Sequence, residues 1–338
     1  MVTKKMIAEH LGISRTAVSL VLNNTPSSTV SMETRNKILQ AAKELGYKDV
    51  EVSPKLCFVL YDRNANDPRY MADMQVMEAA ASRFDYGMVF MNITHLPESL
   101  AKLQKTLDNQ EIEGFIVSGD VDENLLNMFR SANTPYILYG MPLRDHNEGL
   151  SYIAFDDKKL AYDATEYLIS LGHKRIALFM GSLDYNIHQL ALEGYRQALE
   201  ANGIPMDKSL IQISNDENGY ELCKRAEMLQ LEYSAAFCVN TIIQFGVLQY
   251  LQSSGVSVPN SISLIGSGLS EFVKVSVPQL TTFYVSAAEK EKTITLLLET
   301  IQNRNLELAP SLRVTEFELF EGGTIAPWKP DAEHRKGE

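Results

Sequence analysis

The sequence has no apolar run approaching the ~20 residues that span a bilayer. Its first residues carry no apolar signal-peptide core, so a cytoplasmic protein is expected. Cysteine is scarce: Cys57, Cys223 and Cys238 are the only three. Their odd number and wide spacing exclude a disulfide framework and a CxxC metal site, which leaves buried free thiols as the expectation. Catalytic vocabulary is equally thin. The six histidines (10, 95, 146, 173, 188, 334) form no HExxH and no i,i+4 pair. A GK[ST] phosphate loop is absent, and Ser267 in GSGLSEF does not sit in a GxSxG elbow. Asp156 and Asp157 stand side by side in FDD, but neighbouring residues do not converge on one substrate atom. A crossover turn followed by helix N-terminal acids accounts for them. The sequence therefore points away from an enzyme, a resident metal or a cofactor. It also lacks low-complexity tracts and any repeat of solenoid period.

What is present is unevenly charged. The formal charge is −12 over 338 residues, which taken alone disfavours nucleic acid. Residues 1–50 nonetheless hold seven Lys/Arg against four Asp/Glu, a charge of +3, leaving −15 for the rest. Within that basic segment, Thr3 to Asn23 reads as two short helices around a turn. Ile7 and Leu11 share one face of the first; Val18, Val21 and Leu22 share one face of the second. Gly12 can make the turn and Ser14 can cap the second helix. That is the build of a helix-turn-helix, whose second helix lies in a DNA major groove. With the apolar side turned inward, Arg15, Thr16, Ser19 and Leu20 form the outward arc able to read bases. Ser14, Asn23 and Thr29 are placed for phosphates, and Thr3 opens the first helix.

The runs IAEHLGIS (7–14), AVSLVLN (17–23), VSMETRNKIL (30–39) and AAKELGY (41–47) resemble the DNA-binding headpiece of the LacI/GalR family of transcriptional regulators. A third helix follows, capped by Ser31, favoured by Glu33 and ended by Gly46. Beyond it, apolar runs such as LCFVLY (56–61), GFIVS (114–118), RIALFM (175–180) and SISLIG (261–266) alternate with helical stretches, the pattern of βαβ units with parallel sheets. EGFIVSG (113–119), AYDATEYLISLGHKRIALFMG (161–181), LEGYRQALEANGI (192–204) and VPQLTTF (277–283) resemble the family's effector domain, which is similar to type I periplasmic binding proteins.

The fold class expected is thus a small all-α helix-turn-helix domain followed by an α/β two-lobed, periplasmic-binding-protein-like domain with parallel sheets. The boundaries are 1–48 for the headpiece, 49–55 for a short linker and 56–330 for an effector-binding and dimerisation domain. Lobe 1 takes about 56–154 and 285–312, and lobe 2 about 155–284 and 313–327. The resemblance implies a repressor of a metabolic, carbohydrate-related operon, acting as a homodimer on operator DNA, with the small-molecule effector, and whether one exists, left open. The alternative is a ligand- or protein-sensing module whose DNA binding is secondary or lost.

Two departures from the family pattern stand out. The family's headpiece is usually followed by a longer segment that forms a hinge helix. Here only KDVEVSPK (48–55) intervenes, and its β-branched residues and proline oppose a helix. The second departure is in the cleft, where family sites commonly carry Arg or Asp. Ala191, Thr241 and Gly268 occupy such positions, and Gly140-Met141 replaces an Asp-Arg pair. Buried hydroxyls without partners are costly, so a charge-poor cleft would bind simple monosaccharides badly. Asp67, Tyr70, Tyr139, Tyr185, Asn186, His188, Asn240 and Ser267 remain as candidate effector-binding residues.

Overall fold

Ser14 accepts a hydrogen bond from the Ala17 amide at 3.1 Å, and this cap starts the second helix of the chain. Helices α1 (Lys4–Leu11), α2 (Arg15–Leu22) and α3 (Met32–Leu45) enclose a small core of Ile7, Val18, Val21, Leu22, Ile38 and Ala42. Gly12 takes the left-handed conformation (φ 66°) that turns α1 toward α2. Ser31 accepts from the Thr34 amide at 3.3 Å and so caps α3. Each fully buried aliphatic side chain contributes about 1.5–3 kcal/mol against the entropy cost of ordering the segment. The computed structural model describes residues 2–22, 30–47, 54–65, 67–132, 134–142, 150–303 and 312–329. The expected linker reading, which rests on 48–53, and the two candidate phosphate contacts Asn23 and Thr29 lie outside the described residues.

From Lys55 the chain alternates strand and helix. First come β1 (Lys55–Tyr61), α4 (Pro68–Ser82), β2 (Gly87–Ile93), α5 (Pro97–Asn109), β3 (Gly114–Gly119), α6 (Glu123–Ala132), β4 (Tyr136–Pro142) and β5 (Tyr152–Phe155). There follow α7 (Asp157–Ser170), β6 (Ile176–Met180), α8 (Asn186–Ala201), β7 (Ile211–Ile213), α9 (Gly219–Met228), β8 (Ala235–Cys238), α10 (Thr241–Ser253), β9 (Ser263–Ser267) and α11 (Glu271–Val275). The last elements are β10 (Thr281–Val285), α12 (Ala287–Gln302), β11 (Leu312–Val314) and β12 (Phe317–Phe320).

The strands form two six-stranded sheets, ordered β11-β5-β4-β3-β1-β2 and β12-β10-β9-β8-β6-β7. All pairings are parallel except β10 with β12. The central strands β3, β6 and β8 are almost wholly buried, as expected for parallel strands covered by helices on both faces. Separate apolar cores fill the two faces of each sheet. The chain passes from one sheet to the other after β5, after β10 and after β11. Two α/β lobes joined by three strands result, and the strand ends face a common crevice. The three cysteines are buried and free, and burial alone pushes the Cys57 thiol up to about 12. Among the described residues no helix is long and apolar enough to cross a membrane.

Candidate functional site: a reading helix and an interlobe cleft

In the headpiece, α2 buries Val18, Val21 and Leu22 and turns Arg15 and Thr16 fully outward, with Ser19 and Leu20 partly exposed. Thr3 caps α1 by accepting from the Met6 amide at 3.4 Å, and its own side chain is exposed. The outward arc begins at the N-terminus of α2, the end of a recognition helix that meets base edges.

The second site is the crevice between the sheets, a cavity of about 200 Å³ at the carboxyl ends of the strands. From the first lobe it is lined by Arg63 beyond β1, by Arg69, Tyr70 and Asp73 of α4, by the end of β3, and by Tyr139, Phe155 and Lys290. From the second lobe come Asp157, Asn186, Glu217, Asn240, Ser267, Gly268, Tyr284 and Phe317.

Of the sequence-derived candidates, Tyr70, Tyr139, Asn186, Asn240 and Ser267 line the cavity directly. The other three stand behind it. Asp67 caps α4 and holds the Arg69 guanidinium, with Nε donating at 2.9 and 3.0 Å. Tyr185 precedes α8 and carries the Arg63 guanidinium over its ring at 4.2 Å, a cation–π contact between the lobes. His188 is buried and accepts from the Gly181 amide at its Nδ1, 3.3 Å away. That leaves Nε2 as the protonated nitrogen, which donates to Glu217 Oε1 at 3.0 Å. Gly181 permits this approach, because a Cβ there would lie 2.3 Å from His188 Nε2.

The expectation of a charge-poor cleft is corrected. Ala191 is buried, Thr241 bonds Ser270 at 3.0 Å and Gly268 lines the cavity without a side chain. Charge enters from other segments instead: Arg63, Arg69, Asp73, Asp120, Asp157, Glu217 and Lys290 all line the space. Most are already paired. Arg63 Nη2 meets Asp120 at 2.6 Å, and Lys290 meets Asp73 at 2.6 Å, where the Tyr139 hydroxyl also donates at 3.1 Å. Arg69 reaches across from α4 to Glu217 at 3.2 Å.

Glu217 is the hub of the second lobe's wall. It sits in the turn before α9 at φ 54°, a left-handed conformation rare for residues with a side chain and often found at functional sites. Its carboxylate accepts from His188, from Asn240 Nδ2 at 2.9 Å and from Arg69. Burial alone would raise this carboxyl, but His188, Arg69 and Asn240 prevail and hold it down at about 2. Asn240 is itself fixed as the cap of α10, its Oδ1 accepting from the Ile242 and Ile243 amides at 3.0 Å each.

A capped recognition helix followed by two parallel-sheet lobes around a polar cleft is a combination that known proteins share. Residues 53–298 match the family model for periplasmic binding proteins and the sugar binding domain of the LacI family. Residues 5–49 match that for bacterial regulatory proteins of the lacI family. The chain belongs to the LacI family. It is a DNA-binding transcriptional regulator and not an enzyme. The HTH-type transcriptional repressor PurR of Histophilus somni is 26% identical over 318 residues, covering 91% of this chain and 94% of PurR. The HTH-type transcriptional regulator CelR of Thermobifida fusca is 28% identical over 297 residues, covering 83% of this chain and 86% of CelR. Among solved structures, a CelR–cellobiose complex superposes with a TM-score of 0.69 at 26% identity, covering 96% of this chain and all of that one. Members of the family thus share this whole domain order.

Proposed function

We propose that this LacI-family member is a cytoplasmic repressor that occupies an operator as a homodimer and is controlled by a small polar effector in the interlobe cleft. The observation that carries the reading is the pairing of an exposed, capped reading helix with a cleft bridged by Arg69–Glu217 and Arg63–Tyr185. Two lobes joined by contacts between long side chains can change their angle at modest cost. An effector that prefers one angle shifts the population toward it, and with it the placement of two recognition helices on DNA. The cellobiose-bound CelR structure favours an effector of carbohydrate size. Selection from random duplex oligonucleotides is the direct test: enrichment of a palindromic motif supports the proposal, and a pool that stays unenriched refutes it.

A dimer also suits the first lobe. Strand β2 is the outer strand of its sheet, and Met88, Val89, Phe90 and Met91 are only half buried. Beside it, α4 leaves Met71 36% exposed and Val76 partly so. Partly exposed apolar residues along an open edge strand and on the helix beside it suit a second copy. Met71→Glu combined with Val76→Glu should therefore convert a species of about twice 37.9 kDa into one of 37.9 kDa in light scattering, with the folded far-UV signal retained. A double variant that stays dimeric would place the interface elsewhere.

A further inference from the structure

We propose that Asp157 anchors an ammonium group of the effector, so that the ligand of this cleft is a small amine-bearing molecule and not an anion. The inference rests on the reading of the cleft as the effector site and narrows it. Each cation lining the cavity already has an acid partner: Arg63 has Asp120, Lys290 has Asp73, and Arg69 has Asp67 and Glu217, with Arg63 Nε left as a buried donor without one. A phosphate or carboxylate on the ligand would have to share a cation whose charge is already balanced, and would bring a further negative charge beside Asp120, Asp73 or Glu217. Asp157 is different. It opens α7 and lines the cavity, yet its carboxylate makes no hydrogen bond or ion pair among the described residues. Its neighbour Asp156 is occupied in capping the helix, accepting from the Lys159 amide at 2.9 Å.

The surroundings suit a cation. Phe155 packs edge-on to Tyr139 at 5.3 Å and to Phe317 at 6.2 Å, and all three rings line the same cavity as Asp157. Aromatic faces attract ammonium groups and repel anions. With no cation beside it, burial and then the Asp156 charge push the Asp157 carboxyl up to about 7. A bound ammonium would supply the missing partner and draw that value down, so amine binding should release a proton near neutral pH. A neutral ligand that merely accepted a hydrogen bond from protonated Asp157 would bind more weakly as pH rises.

The test uses the full chain with matched probes: glucosamine and glucamine as amines, glucose and sorbitol as neutral counterparts, and glucose 6-phosphate as the anion. Thermal-shift titration should show saturable stabilisation by at least one amine; the affinity for glucamine, whose alkylamine stays protonated, should rise from pH 6 to pH 8, whereas glucosamine, a weaker base, should lose affinity again at the upper end. Asp157→Asn should weaken that amine by roughly ten-fold or more and leave neutral probes unchanged. Asp157→Glu, which keeps the charge, should retain part of the preference. Neutral or phosphorylated probes that bind as tightly as the amines, an amine preference untouched in Asp157→Asn, or no response to any amine would overturn the proposal. Saturable binding of glucose or sorbitol alone would do so while leaving the cleft as the effector site. No binding by any probe, with operator affinity also unmoved, would remove that reading as well.

Discussion

Glu217→Gln should lower stability at pH 7 by ~2–3 kcal/mol and loosen the two lobes together. The carboxylate is four-fifths buried and has three partners, two in its own lobe and Arg69 in the other. Its carboxyl is held at about 2, against 4.5 for an unperturbed glutamate. A depressed value means that the folded state gains from the ionised form. The gain is complete above the unfolded value, shrinks below it and is gone once pH has fallen through about 2. The full difference corresponds to roughly 3 kcal/mol, and partial solvent access trims it. Urea unfolding at several pH values is the check. Variant and parent should differ at pH 7 and converge by about pH 2–3. Curves that stay parallel across that range would show that the charge on Glu217 does not stabilise the fold. Small-angle scattering at pH 7 should also report a more open variant, because the Arg69 bridge then ends on a neutral amide.

The same residue shows where sequence reading runs out. The headpiece was legible because its signals are local: the 3.6-residue spacing of Val18 and Val21, a serine at the cap, a glycine at the turn. The buried strands were legible for a similar reason, as strands covered on both faces are continuous apolar runs. Glu217 sits in NDENG, which reads as a solvated turn. Only the fold brings it to His188, 29 residues away, and to Arg69, 148 residues away. Lys290 and Asp73 lie on separate helices whose patterns suggest ordinary exposed charges, yet together they form a nearly buried pair.

The charge of the cleft was not legible from the family pattern. Ala191, Thr241 and Gly268 are uncharged where that pattern carries charge. Ligand-facing charge need not come from the same segments in every member. Here Arg63, Arg69 and Asp120 supply it from the ends of β1 and β3 and the start of α4. The weak available signal was the acid-base clustering in YDRNANDPRY (61–70), too polar for a helix interior and placed just after a buried strand. Strand C-termini are where such folds collect their ligand groups, so charge at that position points to the cleft more than charge elsewhere does.

Arg15→Ala should cost ~1–3 kcal/mol at each half-site, and so roughly twice that for a dimer on a symmetric operator. Arg15 is the first residue of α2, exposed, and outside the face that packs Val18 and Val21 into the headpiece. Its removal leaves the cap made by Ser14 and the core intact, so the loss belongs to DNA contact and not to folding. Guanidinium geometry gives the discriminating experiment. An arginine bidentate to guanine O6 and N7 is poorly replaced by lysine, whereas a phosphate contact tolerates Arg15→Lys. If Arg15 reads a base, Arg15→Ala should flatten the preference at one symmetric position of the selected motif and leave the others sharp. If it touches only phosphate, affinity should fall equally for every sequence, and the slope of log K against log salt should become shallower by about one per headpiece. Titrations of parent, Arg15→Ala and Arg15→Lys against the selected operator, and against one substituted at that position, separate the outcomes. A uniform loss rescued by lysine would remove Arg15 from the reading face and shift the weight of recognition to Thr16, Ser19 and Leu20 further along the helix.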